Sequence, residues 1–75
     1  MDGAMINRNL LKSQMTLRGV NVKALADAQS WSTTTTYRKI NGKVAFTAPE
    51  IQVCVELLDL DSETASQIFF ADKVS

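Results

Sequence analysis

The chain reads as an all-α domain of five short helices, and three observations carry that reading. Apolar residues recur at helical spacing, no segment alternates apolar and polar residues with period two, and helix-starting and helix-stopping residues divide the chain into short segments with short connections. Within it, Asn21 to Lys43 (NVKALADAQSWSTTTTYRKINGK) reads as two helices joined by a tight turn, a helix-turn-helix formed by the second and third helices.

The first helix is expected from about Asn7 to Leu17 or Arg18, with Gly19 suited to the left-handed residue just past its end. Its apolar residues point two ways, Ile6, Leu10 and Leu17 in one direction and Leu11 and Met15 in another. Either this helix is buried on two sides or one of the groups meets a partner. Asn21 is a good N-cap for the second helix, Val22 to about Gln29, in which Leu25 and Ala26 face inward and the small Ala26 permits close helix approach. Ser30 and Trp31 make the turn, with Trp31 expected as an apolar plug between the helices.

Ser32 can cap the third helix, Thr33 to about Ile40, which ends at Gly42. Threonine and tyrosine each disfavour helix by about a few tenths of a kcal/mol, so tertiary context must override local propensity here. A strand over Trp31–Tyr37 would have no partner. In the fourth helix, Thr47-Ala48-Pro49-Glu50 reads as a capping box with proline in the first turn. Ile51, Cys54, Val55 and Leu58 then mark one buried face, which makes Cys54 a core residue rather than a reactive thiol. The fifth helix begins after Asp61, with Ala65, Ile68 and Phe69 on its inner face and Phe70 beside that stripe.

A length of 75 residues gives room for one compact domain, with a core expected over about residues 6–70 and short flexible termini. No apolar run approaches the roughly 18 residues that span a bilayer, and the N-terminus lacks a secretory layout, so a cytoplasmic protein is expected. One cysteine and no histidine rule out an internal disulfide and a Cys/His zinc site. Nor is there a glycine-rich phosphate loop or an activated nucleophile, so no enzyme activity, metal, cofactor or small-molecule ligand is expected.

Formal net charge is zero, but the charges are segregated. From Met5 to Val44 stand Arg8, Lys12, Arg18, Lys23, Arg38, Lys39 and Lys43 against Asp27 alone. From Ala45 onward stand Glu50, Glu56, Asp59, Asp61, Glu63 and Asp72 against Lys73 alone. One part of the molecule should attract phosphate and the other repel it.

These residues resemble the Cro/repressor helix-turn-helix family of phage regulators and bacterial transcription factors. Val20-Asn21, Leu25-Ala26, Trp31-Ser32, Tyr37 to Lys43, the capped helix from Thr47, and Leu57-Leu58 leading to Leu60 carry the likeness. More narrowly, Tyr37 to Phe46 (YRKINGKVAF), with Thr47, Glu50-Ile51 and Ile68-Phe69-Phe70, is similar to short phage proteins described as Cro-like repressors. The chain departs from the family pattern at Val22, where glutamine is common, and at Ser30, where glycine is usual. It departs again at Gln29 and Thr36, where apolar residues usually pack.

The resemblance implies a five-helix, lambda-repressor-like domain that binds operator DNA in the bacterial cytoplasm and represses a phage or prophage promoter by occluding it. It implies that the third helix lies in the major groove, with Thr33, Thr34, Tyr37 and Arg38 facing the bases. Asn21, Ser32, Asn41 and Lys43 are then the expected phosphate contacts, with Lys39 beside them. A homodimer on two half-sites is implied, and Leu57, Leu58, Phe69 and Phe70 are the residues nominated for its interface. Zero net charge and the valine at position 22 leave a second reading open, a protein-interaction module such as an antirepressor or accessory factor.

Overall fold

The ends of the helices are written in local hydrogen bonds, and they set the architecture. The computed structural model describes residues 6–70; the expected flexible termini, and Asp72 and Lys73 of the charge pattern, lie outside them. The order is α1 (Arg8–Arg18), α2 (Val22–Gln29), α3 (Thr33–Ile40), α4 (Ala48–Leu58) and α5 (Ser62–Phe69), with no strand among the described residues. Each helix opens on a side chain that accepts from a first-turn N–H: Asn7 from Leu10, Asn21 from Ala24, Ser32 from Thr35, Thr47 from Glu50 and Asp61 from Thr64. Each cap satisfies a donor that has no intrahelical acceptor. The capping box of α4 is complete, since the Glu50 carboxylate also accepts from the Thr47 N–H at 2.9 Å.

The C-terminal ends of α1 to α4 each close on a left-handed residue. After α1, Gly19 at φ +69° donates to Thr16 O and Val20 donates to Met15 O, the paired bonds of a Schellman turn. After α3 the same pair runs from Gly42, at φ +77°, to Lys39 O and from Lys43 to Arg38 O. After α2 and α4 the left-handed residue is not glycine: Ser30 stands at φ +60° and Asp59 at φ +51°. Trp31 N–H to Ala26 O and Leu60 N–H to Val55 O, at 2.9 and 3.0 Å, hold those two ends.

The second half of the threonine run uses its hydroxyls within the helix, which helps it to stay helical. Thr36 Oγ1 donates to Ser32 O at 2.8 Å, and Ser32 Oγ accepts from the Thr35 N–H while donating to the Thr35 hydroxyl. The fully buried Thr36 therefore brings no unsatisfied group inward.

Leu11 and Met15 of α1, Leu25 of α2, Ile40 of α3, Cys54 and Leu58 of α4, Leu60, and Ile68 and Phe69 of α5 form one core. On α1, Leu11 and Met15 enter it, Leu10 and the preceding Ile6 pack against its edge, and Leu17 stands in solvent. α2 packs on α3 and α4, while α1 lies against α3, α4 and α5. The Asn7 N–H donates to Ile68 O at 2.8 Å and ties the start of α1 to the end of α5. The radius of gyration, 11.2 Å, matches the roughly 11 Å of a compact chain of this length.

Trp31 is not a plug between α2 and α3. It is half-buried and meets Phe46 edge-on at 5.7 Å, and Phe46 meets Phe69 the same way at 5.0 Å, so the turn is joined to α5 by a line of aromatic rings.

Ser30 bears the strain of this arrangement. A left-handed non-glycine residue costs about 1–2 kcal/mol, part of which glycine's greater freedom in the unfolded chain would give back. Ser30→Gly should therefore raise stability by about 0.5–1 kcal/mol, read as a melting temperature several degrees higher; an unchanged or lower melting temperature would show that the serine is not strained.

Candidate functional site

α3 has two unlike faces. Thr36, Lys39 and Ile40 point inward and are buried, whereas Thr33, Thr34, Tyr37 and Arg38 are exposed, Tyr37 by half. The expectation that these four face outward holds. Among the described residues none of their side chains takes part in a hydrogen bond or ion pair within the chain, and the same is true of Asn41 and Lys43 just beyond the helix.

Thr34, Tyr37, Arg38, Asn41, Lys43 and Val44 line one open concavity. A second depression lies between α1, α2 and α3, bordered by Lys12, Thr16, Asn21 and Val22 and again by Tyr37 and Asn41. Because Tyr37 and Asn41 belong to both, the two form one continuous surface running from α1 across α3 to the loop before α4. No carboxylate lines either part. Of the residues expected to meet nucleic acid, Asn21, Thr34, Tyr37, Arg38, Asn41 and Lys43 come together here. Ser32 and Thr33 are exposed at the start of α3 but line neither depression.

Lys12 and Thr16 were not picked out for this surface from sequence. Their signal was an i, i+4 pair of polar side chains on α1, and only the packing of α1 against α3 turns it toward Asn21 and Tyr37. Asn21 and Ser32 serve as helix caps, their side-chain oxygens already accepting from Ala24 and Thr35 N–H at 2.8 and 3.1 Å. Each still offers a further lone pair and a helix N-terminus, and Asn21 also its carboxamide N–H groups, whereas the Ser32 hydroxyl already donates to Thr35.

Lys39 does not belong to the exposed surface, and its expected phosphate contact is corrected. The residue is only 7% exposed; its Nζ donates to Ala45 O at 2.8 Å and to Glu50 Oε1 at 2.7 Å. The same ammonium lies 5.2 Å from the centre of the Trp31 ring and 5.9 Å from that of Phe46. Lys23 is likewise occupied, by Asp27 at 3.3 Å. Arg8, Lys12, Arg18, Arg38 and Lys43 form no ion pair among the described residues.

Two of the residues nominated for a dimer interface are interior. Leu58 is fully buried and Phe69 is 6% exposed, both in the core; Leu57 is half-buried against that core, and Phe70 is 44% exposed. The C-terminal half is where a dimer contact was expected, and the domain's own core takes the larger share of these four residues. Cys54 is fully buried, and burial pushes its thiol up to about 11, which keeps it protonated and unreactive.

No family model matches this chain, and comparisons with curated proteins and with solved structures find no match either. No described helix is long and apolar enough to cross a membrane.

Burial alone would raise the Glu50 carboxyl, but the Lys39 ammonium and Thr47 outweigh it and hold it below its ordinary 4.5. A carboxyl depressed in the folded state contributes stability that is complete above the unfolded value and is lost as pH falls through the folded one. Asp61, held below its ordinary 3.8 mainly by the Thr64 N–H, acts in the same sense. Urea midpoints should therefore fall as pH drops below about 4.5, and Glu50→Gln should make that decline shallower without removing it. A variant whose midpoints fall as steeply as those of the wild type would show that the ion pair contributes nothing to the acid response.

Proposed function

We propose that this chain is a sequence-specific DNA-binding regulator of the Cro/repressor kind, in which α2 and α3 form a helix-turn-helix and α3 enters the major groove. One observation carries the reading. Thr34, Tyr37, Arg38, Asn41, Lys43 and Asn21 share a continuous surface free of carboxylates, and all but Asn21 have side chains not engaged within the fold. A surface with this many unengaged donors and two unpaired cations suits a polyanion that also presents base edges.

The dimensions agree. An α-helix with its side chains is about 10–12 Å across, which the roughly 12 Å width of the major groove admits. Arg38 is placed on the outward face to bond guanine O6 and N7 bidentately, and Thr34 offers a hydroxyl to a base edge and a methyl to thymine. Asn41, Lys43, Asn21 and Lys12 flank the outward face of α3 and are the residues to meet phosphates, which set register but carry no sequence information. Binding of this kind represses by covering promoter DNA and requires no chemistry from the protein.

One such surface reads few base pairs, so useful specificity calls for two copies on half-sites about 34 Å apart. Phe70 is the nominated interface residue that stays well exposed for that contact. The acidic side chains of α4 and α5 would lie away from the backbone and orient the approach.

Footprinting on DNA flanking the gene should reveal a protected site with two-fold symmetry, and absence of any duplex binding at low salt would overturn the reading in favour of a protein-interaction module. Arg38→Ala should lose about 1–3 kcal/mol of discrimination between operator and mismatched sites. Lys43→Ala should instead weaken all duplexes alike and flatten the dependence of log affinity on log salt by about 0.9 per copy, measurable by fluorescence anisotropy.

A further inference from the structure

We infer that the buried Lys39–Glu50 pair acts as a specificity device from behind the proposed recognition surface, fixing the roll of α3 and the path of residues 41–46. Its consequence rests on the DNA-binding reading, but its geometry does not.

Successive side chains on a helix are about 100° apart, so holding Lys39 inward fixes where Arg38 and Tyr37 point on the other side. The remaining inward residues cannot do this. Thr36 spends its hydroxyl on Ser32 O within its own helix, and Ile40 makes apolar contacts that have no preferred direction. Lys39 alone reaches out of α3 with directional bonds, to Ala45 O in the connection that follows and to Glu50 Oε1 on α4. Its ammonium also faces Trp31 in the turn that precedes α3, so one charge contacts the chain before, after and beneath the helix.

Glu50 is tied to α2 as well. The Gln29 carboxamide, at the last position of α2, donates to Glu50 O at 2.8 Å. Both helices of the proposed motif are therefore anchored on a single residue of α4, α2 through its backbone carbonyl and α3 through its carboxylate. That carboxylate is itself fixed by the Thr47 N–H of the capping box. An apolar pair could fill the same space, but it would leave α3 free to roll and residues 41–46, which carry Asn41, Lys43 and Val44, without the bond at Ala45.

The test compares the wild-type chain with Lys39→Met and with the double variant Lys39→Met/Glu50→Gln, which leaves no buried charge if the single variant fails to fold. Two-dimensional amide NMR without DNA should show shift changes concentrated in residues 31–46, with α1 and α5 little affected. The ratio of operator to non-operator affinity should fall by about tenfold or more, while the slope of log affinity against log salt stays at the wild-type value. A purely structural role would lower the melting temperature and leave that ratio within about twofold, which overturns the inference. So does a slope reduced by about one per copy, which would make Lys39 a phosphate contact after all. Unchanged amide shifts over residues 31–46 overturn the positioning itself. A wild-type chain that prefers no operator defeats the DNA-binding reading instead, and the amide shifts still decide whether the pair positions α3.

Discussion

An ammonium group almost withdrawn from water sits at the junction of three helices, and the arrangement around it constrains the rest of the molecule. Desolvating a lysine is unfavourable by several kcal/mol unless partners replace its hydration shell. Lys39 has a carboxylate, a backbone carbonyl and two aromatic faces in that place. These four partners come from three stretches of chain: Trp31 from the turn before α3, Ala45 and Phe46 from the connection after it, and Glu50 from the first turn of α4. Breaking such a pair by removing one member typically costs about 3–5 kcal/mol, whereas exchanging both for apolar groups is often neutral. The pair therefore contributes less to how stable the fold is than to which arrangement of α3 on α4 it adopts.

That emphasis fits a chain made of helices only 8 to 11 residues long. Helices of this length are marginal alone, because nucleation is unfavourable and few turns follow to offset it. Here each is bounded by a capping side chain at one end, with paired Schellman bonds closing α1, α2 and α3 and the Leu60 N–H to Val55 O bond closing α4. Local chemistry thus decides where helices start and stop. It does not decide how they are oriented, which is left to the core around Leu11, Leu25, Leu58 and Ile68 and to the directional bonds at Glu50.

The same division explains what could be read in the sequence. Asn21, Ser32, Thr47 and Asp61 as helix starts, and Gly19 and Gly42 as stops, depend on a few neighbouring residues and were legible. The outward placement of Thr33, Thr34, Tyr37 and Arg38 is what the family resemblance implies, and the burial of Thr36, Lys39 and Ile40 on the opposite face agrees with it. The left-handed Ser30 and Asp59 gave no glycine signal. The resemblance puts Lys39 beside the phosphate contacts, and the partner that draws it inward stands eleven positions along the chain, beyond any local pattern. The aromatic line from Trp31 through Phe46 to Phe69, and the turning of Lys12 and Thr16 toward Asn21, likewise exist only after packing.

Placing the fold-determining charge on the inner face of α3 and leaving the outer face unengaged has a consequence for how such a surface could change. Exposed side chains without internal partners can usually be replaced at a stability change within about 0.5 kcal/mol. Thr33, Thr34, Tyr37 and Arg38 are in that position, so a different set of base contacts could be tried there without repacking the domain. Lys39, Glu50 and Gln29 are not, because each change would strand a buried polar partner. Asn21 and Ser32 lie between these cases, since replacing either with a residue that cannot cap removes about 1 kcal/mol from a short helix. The expected order of tolerance is therefore the outer face of α3 first, its caps second, and the Glu50 anchor last. This is the ordering required if one rigid scaffold is to present varied recognition residues at a constant geometry.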